Sequence, residues 1–357
     1  MNKYFYKIFL DYQEISVRYD VHHKAIWCYF NPAPRPCFSL KMLQEIKQLQ
    51  QSIITYFKNR SSATEPPIRY QIYCSQVPGV FNLGGDLALF SKLIKDKNHQ
   101  LLSEYAKQCI ELCYFNAVNL NLPLTTIALV EGMALGGGFE MALSSNILIA
   151  TEDAEMGFPE IRFNLFPGMG AYSFLARRCG MATTDRMLTS GAIFNATELS
   201  DLGIVHHLVK NDNSQEGVKK FIRQHQRLGN GHRALQQVRQ CFHPVNYQEL
   251  SDIVDIWVEA AIRLENKDLR MMDRLVKAQE AKMARREKRS LLRTKQDRRF
   301  AAENVTFPLT DWSGETVISN RRKNLDRRGD SDRRTDKHRR EKSERRMVSE
   351  RRLLNSL

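Results

Sequence analysis

The stretch Ala134-Leu-Gly-Gly-Gly-Phe-Glu-Met-Ala142 sets three consecutive glycines before a phenylalanine and a glutamate, and its reading decides the fold. Glycine in a helical turn costs roughly 0.5–1 kcal/mol relative to alanine, so a run of three calls for a reason. LTTIALVEG (124–132) ahead of it reads as a short apolar strand, and EMALSSNIL (140–148) behind it reads as an apolar helix. A strand, a glycine turn and a helix bring the free N–H groups of a helix N-terminus to one point, where the helix dipole also favours negative charge. With no side chains on Gly136, Gly137 and Gly138, a bulky ligand can reach those N–H groups, and Glu140 lies in the first helical turn beside it. Taken alone, such a string is a tight helix–sheet packing joint more often than a site.

Two further segments bear on that choice. PGVFNLGGDLALF (78–90) carries a second glycine pair just after a strand, and MGFPEIRFNLFPGMGAYSFLARR (156–178) carries Pro159-Glu160, then Pro167-Gly168 and Gly170 before another helix. Each alone could be a turn. Together they offer two sources of exposed backbone N–H and two carboxylates, the groups that enolate chemistry on a thioester requires.

The rest of the chain alternates in the same way. EISVRYD (14–20), AIWCYF (25–30), RYQIYCSQ (69–76) and LIAT (148–151) read as strands, and EDAEMGFPE (152–160) as a loop. Leu40, Leu43, Ile46, Leu49 and Ile53 mark a helix between Phe38 and Phe57, and residues 91–120 read as one helical block. From about Ala196 the character turns helical: TELSDLGIV, SQEGVKKFIRQHQRL, and a run from Gln248 with Leu250, Ile253, Trp257, Ala261 and Leu264 on one face. The expectation is an α/β core over residues 1–200, a helical C-terminal subdomain over 201–288 and a basic, flexible tail over 289–357.

The chain has 357 residues, is 42% hydrophobic and carries a formal charge of +14. That charge is not spread evenly: residues 281–357 hold 24 Lys+Arg against 12 Asp+Glu, which leaves 30 against 28 for the first 280 residues. The basicity therefore belongs to the tail and says little about the chemistry of the body. The tail repeats x-R-R-x-x-x six times from Asn320 to Asn355 (NRRKNL, DRRGDS, DRRTDK, HRREKS, ERRMVS, ERRLLN). A six-residue period winds its Arg pairs over several faces of a helix, so a solvated arm is expected, with an anionic partner as the alternative. VTFPLTDWSGETVIS (305–319) is an apolar interlude without an assignable partner. The seven cysteines form no CxxC pair and sit largely in apolar surroundings, which reads as buried thiols of a reducing compartment and not as metal ligands. No segment has the length and apolarity of a membrane span and the N-terminus has no cleavage signature, so a cytoplasmic protein is expected.

These motifs resemble the crotonase, or enoyl-CoA hydratase/isomerase, superfamily. Its pattern G-x-A-x-G-G-G-x-E is matched by Gly132 through Glu140, and its P-E-x(6)-P-G-x-G by Pro159 through Gly170, within a resemblance that covers about residues 10–280. The resemblance implies a spiral of ββα units, oxyanion-hole N–H groups from Gly85 and Gly137, and Glu140 and Glu160 as the two catalytic carboxylates. It also implies a homotrimer or dimer of trimers built through the C-terminal helices, and no metal or organic cofactor. Departures from ordinary hydratases are visible: YFNPAPRPCFSL (29–40) stands where an L-N-R-P-x-x-x-N-A-L string is usual, and FNLGGD replaces F-x-A-G-x-D. FNLGGDLALF, ALGGGFE, LFPGMGAYSF and LRMMDRLVKAQ instead look like bacterial diffusible-signal-factor synthases, which make cis-2-unsaturated fatty acids as cell-to-cell signals.

That likeness implies dehydration of a 3-hydroxyacyl thioester on acyl carrier protein, or on CoA, followed by hydrolysis to the free acid. Loss of the Cα proton puts enolate charge on the thioester oxygen, which paired N–H donors stabilise. Two glutamates of separated pKa then serve as base and acid, and the sequence leaves open which is which. Hydrolysis reuses the same hole and requires no Ser-His-Asp set; no G-x-S-x-G occurs, and the nine histidines, His206-His207 included, read as surface or structural residues. Leu135, Met169, Trp257 and Leu275 are candidates to line the acyl chain, each with ordinary core packing as the alternative. Asp86 reads as a turn or helix cap and Phe139 as packing. The competing functions are a conventional enoyl-CoA hydratase or isomerase, and a regulatory protein that uses this scaffold to dock on a sensor kinase.

Overall fold

Alternating β-branched and aromatic residues form the first two strands, β1 (Ile15–Asp20) and β2 (Ala25–Phe30), which follow a short helix α1 (Lys3–Tyr6) and pair antiparallel with Ile15 opposite Phe30. The computed structural model describes residues 3–32, 34–60, 66–278 and 281, together with 309–310 and 316–317. Helix α2 (Leu40–Lys58) starts at Ser39, whose hydroxyl accepts from the Met42 N–H at 2.9 Å, a side-chain cap for an otherwise orphaned donor.

Three successive units then each place one strand in a large sheet, one short strand in a second sheet, and one or two helices. The first is β3 (Tyr70–Ser75), β4 (Val80–Asn82), α3 (Leu87–Lys95) and α4 (His99–Ala117). The second is β5 (Thr125–Val130), β6 (Met133–Leu135) and α5 (Gly137–Ser144). The third is β7 (Ile147–Thr151), β8 (Glu155–Gly157) and α6 (Ala171–Cys179). Helix α7 (Met181–Ser190), β9 (Ile193–Asn195), α8 (Ala196–Asp201), β10 (His207–Val209), α9 (Ser214–Arg227), α10 (Gly229–Phe242) and α11 (Tyr247–Ile262) follow, with a further helical segment over 266–278.

The large sheet has the order β1-β2-β3-β5-β7-β10, parallel beyond the first pair, and the second has the order β4-β6-β8-β9. Both faces of the large sheet are covered, as a parallel sheet requires. Ile26, Cys28 and Phe30 of β2 enter the main core, while Ala25, Trp27 and Tyr29 join a second cluster closed by Val218 and Ile222 of α9. This is the period-two alternation of a pleated strand serving two cores.

Residues Met1–Arg289 form one unit, with α11 packed on α3 and α4, so the C-terminal helices lie against the α/β core of their own chain. In the second unit, Ser290–Leu357, two short pieces of the apolar interlude pair with each other: β11 (Leu309–Thr310) and β12 (Thr316–Val317) are antiparallel, with Leu309 opposite Val317. The Arg-Arg repeat lies outside the described residues.

Several expectations are corrected. The block 91–120 breaks into two helices at Asp96–Asn98, where Lys97 adopts φ +48° and the Asn98 side chain caps α4 through the Leu101 N–H. The helix after the triple glycine begins earlier than expected, at Gly137, and stops at Ser144. The supposed loop 152–160 contains β8, and the second sheet as a whole escapes periodicity because each of its strands has three residues. All seven cysteines are free, with Cys28, Cys74, Cys109 and Cys113 buried, but Cys241 is exposed at the end of α10.

Candidate active site

Three glycine-bearing turns meet at the start of α5. A Cβ on Gly84, whose φ of +94° already favours glycine, would lie 2.8 Å from the Gly137 nitrogen, and a Cβ on Gly137 would lie 3.4 Å from the Gly85 nitrogen. The Gly85 and Gly137 backbones thus approach at side-chain-free distance. Gly137 is the first residue of α5, so its N–H precedes the helical ladder. Gly85 lies between β4 and α3. Among the described residues neither N–H is taken up by a turn or loop hydrogen bond.

The two carboxylates arrive from different elements. Glu140 is carried by the first turn of α5 and is 1% exposed; its Oε1 accepts from the Met169 N–H at 2.6 Å and the Ala171 N–H at 2.9 Å. Those donors belong to the PGMGA segment, and Gly170 makes the approach possible with a φ of +110°. Glu160 begins a single 3-10 turn after β8, and its carboxyl group comes so close to the triple glycine that a Cβ on Gly136 would fall 2.2 Å from Oε1. Its Oε2 is buried without a hydrogen-bond partner. Glu160 as a residue is half-buried, but its Oε2 is shut off from solvent.

Burial pushes the Glu140 carboxyl up to about 8, against the pull of its two backbone donors. Burial also pushes Glu160 up to about 8, and here the charge of Glu140 adds to the rise. The two values coincide and do not show the expected separation, and a backbone N–H also pulls Glu160 down, so only the number and reach of the hydrogen bonds differ between the two. Two N–H donors stabilise a carboxylate at Glu140, while the partnerless Oε2 of Glu160 favours the neutral acid.

A pocket opens over this cluster, lined by Gly85, Gly136, Gly137, Glu140, Glu160 and Met169, with Phe90, Tyr105, Ala106, Cys109, Trp257 and Leu275 among its apolar walls. Phe90 stacks edge-on against Tyr105 at 5.0 Å and against Trp257 at 5.2 Å, which joins α3, α4 and α11. Of the four chain-lining candidates, Met169, Trp257 and Leu275 lie on this pocket. Leu135 does not: it is buried in β6, behind the glycine turn. Asp86 caps α3, its Oδ1 accepting from the N–H groups of Ala88 and Leu89, and Phe139 stacks on Phe158 at 4.9 Å. His206 is structural, its Nδ1 accepting from the Leu148 N–H at 3.1 Å. The sequence reading missed Phe90, Tyr105, Ala106 and Cys109. Tyr105, Ala106 and Cys109 share one face of α4, a spacing that core packing alone would also produce. No group of three or more metal-ligating side chains clusters among the described residues, and no described helix is long and apolar enough to cross a membrane.

Residues 47–256 match the enoyl-CoA hydratase/isomerase family. Over 154 residues the chain is 31% identical to a mitochondrial methylglutaconyl-CoA hydratase of Rattus norvegicus, a stretch covering 43% of this chain and 46% of that protein. It is 34% identical over 125 residues to a probable enoyl-CoA hydratase of Bacillus subtilis, covering 35% of this chain and 46% of that one. The chain thus spans just under half the length of the curated relatives it matches. Among solved structures, human mitochondrial delta3-delta2-enoyl-CoA isomerase superposes with a TM-score of 0.60 at 18% identity, covering 76% of this chain and 99% of that one. Pseudomonas aeruginosa DspI superposes with a TM-score of 0.53 at 22% identity, covering 65% and 82%. Identities this low carry the fold alone. With the family match extending over more than half its length and the α/β two-sheet fold shared with solved members, the chain belongs to the enoyl-CoA hydratase/isomerase family.

Proposed function

We propose that this protein is a diffusible-signal-factor synthase: it dehydrates a 3-hydroxyacyl thioester to the cis-2-enoyl thioester and then hydrolyses the thioester to the free acid. The observation that carries the chemistry is the pair of buried carboxyl groups, Glu140 and Glu160, set beside the approaching Gly85 and Gly137 backbones in an apolar pocket. In this reading the Glu140 carboxylate takes the Cα proton. The N–H groups of Gly85 and Gly137 hold the enolate oxygen, and neutral Glu160 gives its proton to the departing 3-hydroxyl, which leaves as water. Each general acid or base contributes about 10²- to 10⁴-fold, and each oxyanion donor roughly 10²- to 10³-fold. A carboxylate then activates a water molecule for attack on the same carbonyl. The tetrahedral oxyanion occupies the same hole, and its collapse expels the carrier thiol. No step needs a metal or organic cofactor.

The finer assignment rests on the strings FNLGGDLALF, ALGGGFE, LFPGMGAYSF and LRMMDRLVKAQ, and with them come an acyl-carrier-protein substrate and docking on a sensor kinase; a trimeric assembly goes with the wider family resemblance and a cytoplasmic setting with the apolar thiols. A second reading, hydration or isomerisation of an enoyl-CoA, is favoured by what the curated relatives are called. Mass spectrometry of products from 3-hydroxydodecanoyl acyl carrier protein, with Glu140→Ala and Glu160→Ala alongside, separates them. Free cis-2-dodecenoic acid from the wild type alone supports the synthase. Reversible exchange of enoyl and hydroxyacyl thioesters with a preference for CoA supports the hydratase. Signalling output retained by the double variant would support a purely regulatory scaffold.

A further inference from the structure

The proline-rich stretch YFNPAPRPCFSL departs from the family pattern, and the chemistry above gives it no task. In the structure it lies against the first glycine turn. The Leu83 N–H donates to the Pro36 carbonyl at 2.7 Å, the Phe38 N–H donates to the Gly84 carbonyl at 2.8 Å, and Arg35 pairs with Asp86 at 3.1 Å. Behind both segments stands Tyr105 of α4, 2% exposed, whose hydroxyl donates to the Phe38 carbonyl and accepts from the Asp86 N–H at 3.1 Å.

The carbonyl of Gly84 and the N–H of Gly85 belong to one planar trans peptide, so they point in opposite directions. Fixing the Gly84 carbonyl on the Phe38 N–H therefore fixes where the Gly85 N–H points. That peptide is flanked by glycine on both sides, and glycine has little torsional preference of its own. Its orientation is held from outside. The Asn82 side chain secures the preceding unit by accepting from the Gly84 N–H at 2.7 Å. Tyr105 secures the following unit at Asp86 and, through the Phe38 carbonyl, the segment that grips Gly84.

We propose that Tyr105 is a positioning residue. Its hydroxyl clamps the proline-rich segment to the Gly84-Gly85-Asp86 turn and so aims the Gly85 N–H at the same point as that of Gly137. Three prolines within residues 32–36 restrict the backbone of the clamping segment in advance, which lowers the entropy lost when it docks. The proposal rests on the reading of Gly85 and Gly137 as an oxyanion hole.

The test uses Tyr105→Phe, which keeps the ring against Phe90 and deletes only the hydroxyl. The first readout is the carbonyl stretch of a bound probe, an amide analogue of the dodecanoyl thioester with NH in place of sulfur and 13C at the carbonyl. An oxyanion hole polarises that carbonyl and moves its band to lower frequency. The expected result is a clear downshift on the full-length wild-type protein that is reduced in Tyr105→Phe. Turnover of the 3-hydroxyacyl thioester should fall by ~10- to ~100-fold with KM within about twofold, because a small misaim of one donor acts on the transition state. Arg35→Gln, which loosens the same clamp at its exposed end, should move both readouts less and in the same direction, and it serves if Tyr105→Phe does not fold. A wild-type downshift left intact in the folded variants overturns the positioning role and spares the oxyanion hole. No downshift in the wild type removes the hole itself, and the proposal with it.

Discussion

Placing a methyl group on Gly136 should disable the site at small cost to the fold, because two consequences of the substitution can be separated. Gly136 has φ +51° and ψ −125°, a conformation in which a non-glycine residue is strained by about 1–3 kcal/mol. The second consequence is local: the new Cβ would stand 2.2 Å from Glu160 Oε1, far inside contact distance, so the carboxyl group has to move by about 1 Å or more. A displacement of that size can cost ~10²-fold in rate, and complete loss of a general acid ~10²- to 10⁴-fold.

Gly203 supplies the control. It also has a positive φ, +74°, but a Cβ there meets nothing within 4 Å. Gly203→Ala therefore carries strain of about 1–2 kcal/mol with no collision. In a unit of this size both variants should melt a few degrees below the wild type. Product formation from 3-hydroxydodecanoyl acyl carrier protein, followed by mass spectrometry, should fall at least ~10²-fold in Gly136→Ala and stay near wild type in Gly203→Ala. Equal turnover in the two variants would refute the assignment of Glu160 as the proton donor held against the glycine turn.

Other outcomes follow from the same geometry. The folded pKa of Glu160 lies above its unfolded value, so below about pH 4.5 both states hold the proton and nothing is lost. As pH climbs towards 8 the unfolded chain ionises while the folded one does not, and stability falls by up to about 1.4 kcal/mol per pH unit. Glu160→Gln escapes this, so its melting temperature relative to wild type should rise across that window, and a constant difference in melts taken from pH 4.5 to 8 would contradict the burial argument. Arg178 donates to the Leu143 and Ser145 carbonyls at the end of α5, at 2.8 and 2.5 Å; Arg178→Ala should destabilise by ~2–4 kcal/mol in denaturant titration, since it leaves those acceptors without their charged donor.

Much of this site is visible in the sequence because its chemistry depends on backbone. The two glycine turns, Glu140 and Glu160 stand in short local strings, since a helix start and its first-turn carboxylate are necessarily neighbours along the chain. What escaped is what arrives from a distance. Tyr105 reaches Phe38 across the fold, and nothing in QLLSEYAKQC separates that tyrosine from an ordinary buried one. Leu135, a candidate for the acyl chain with core packing as its alternative, takes the alternative: it is buried in β6 and off the pocket. The second sheet was invisible because three residues cannot show a period of two, and the 96–98 break was hidden because the apolar pattern resumes on the far side of it.

The placement of the C-terminal helices bears on how activity depends on assembly. Trp257 and Leu275 line the pocket from the same chain that supplies Glu140 and Glu160. Helix α10 is different. None of its residues is buried, and Leu235 (59%), Val238 (58%) and Phe242 (88%) share one exposed face in line with Leu228 (68%) just ahead of it, the stripe expected of a helix that meets a partner. If the trimer implied by the sequence resemblance forms through that stripe, Val238→Glu with Phe242→Glu should yield a smaller species by light scattering while turnover per chain stays within about threefold, since a charge on an interface face opposes association without touching the pocket. Loss of activity in step with dissociation would mean that the pocket depends on a neighbour to hold α11 against α3 and α4.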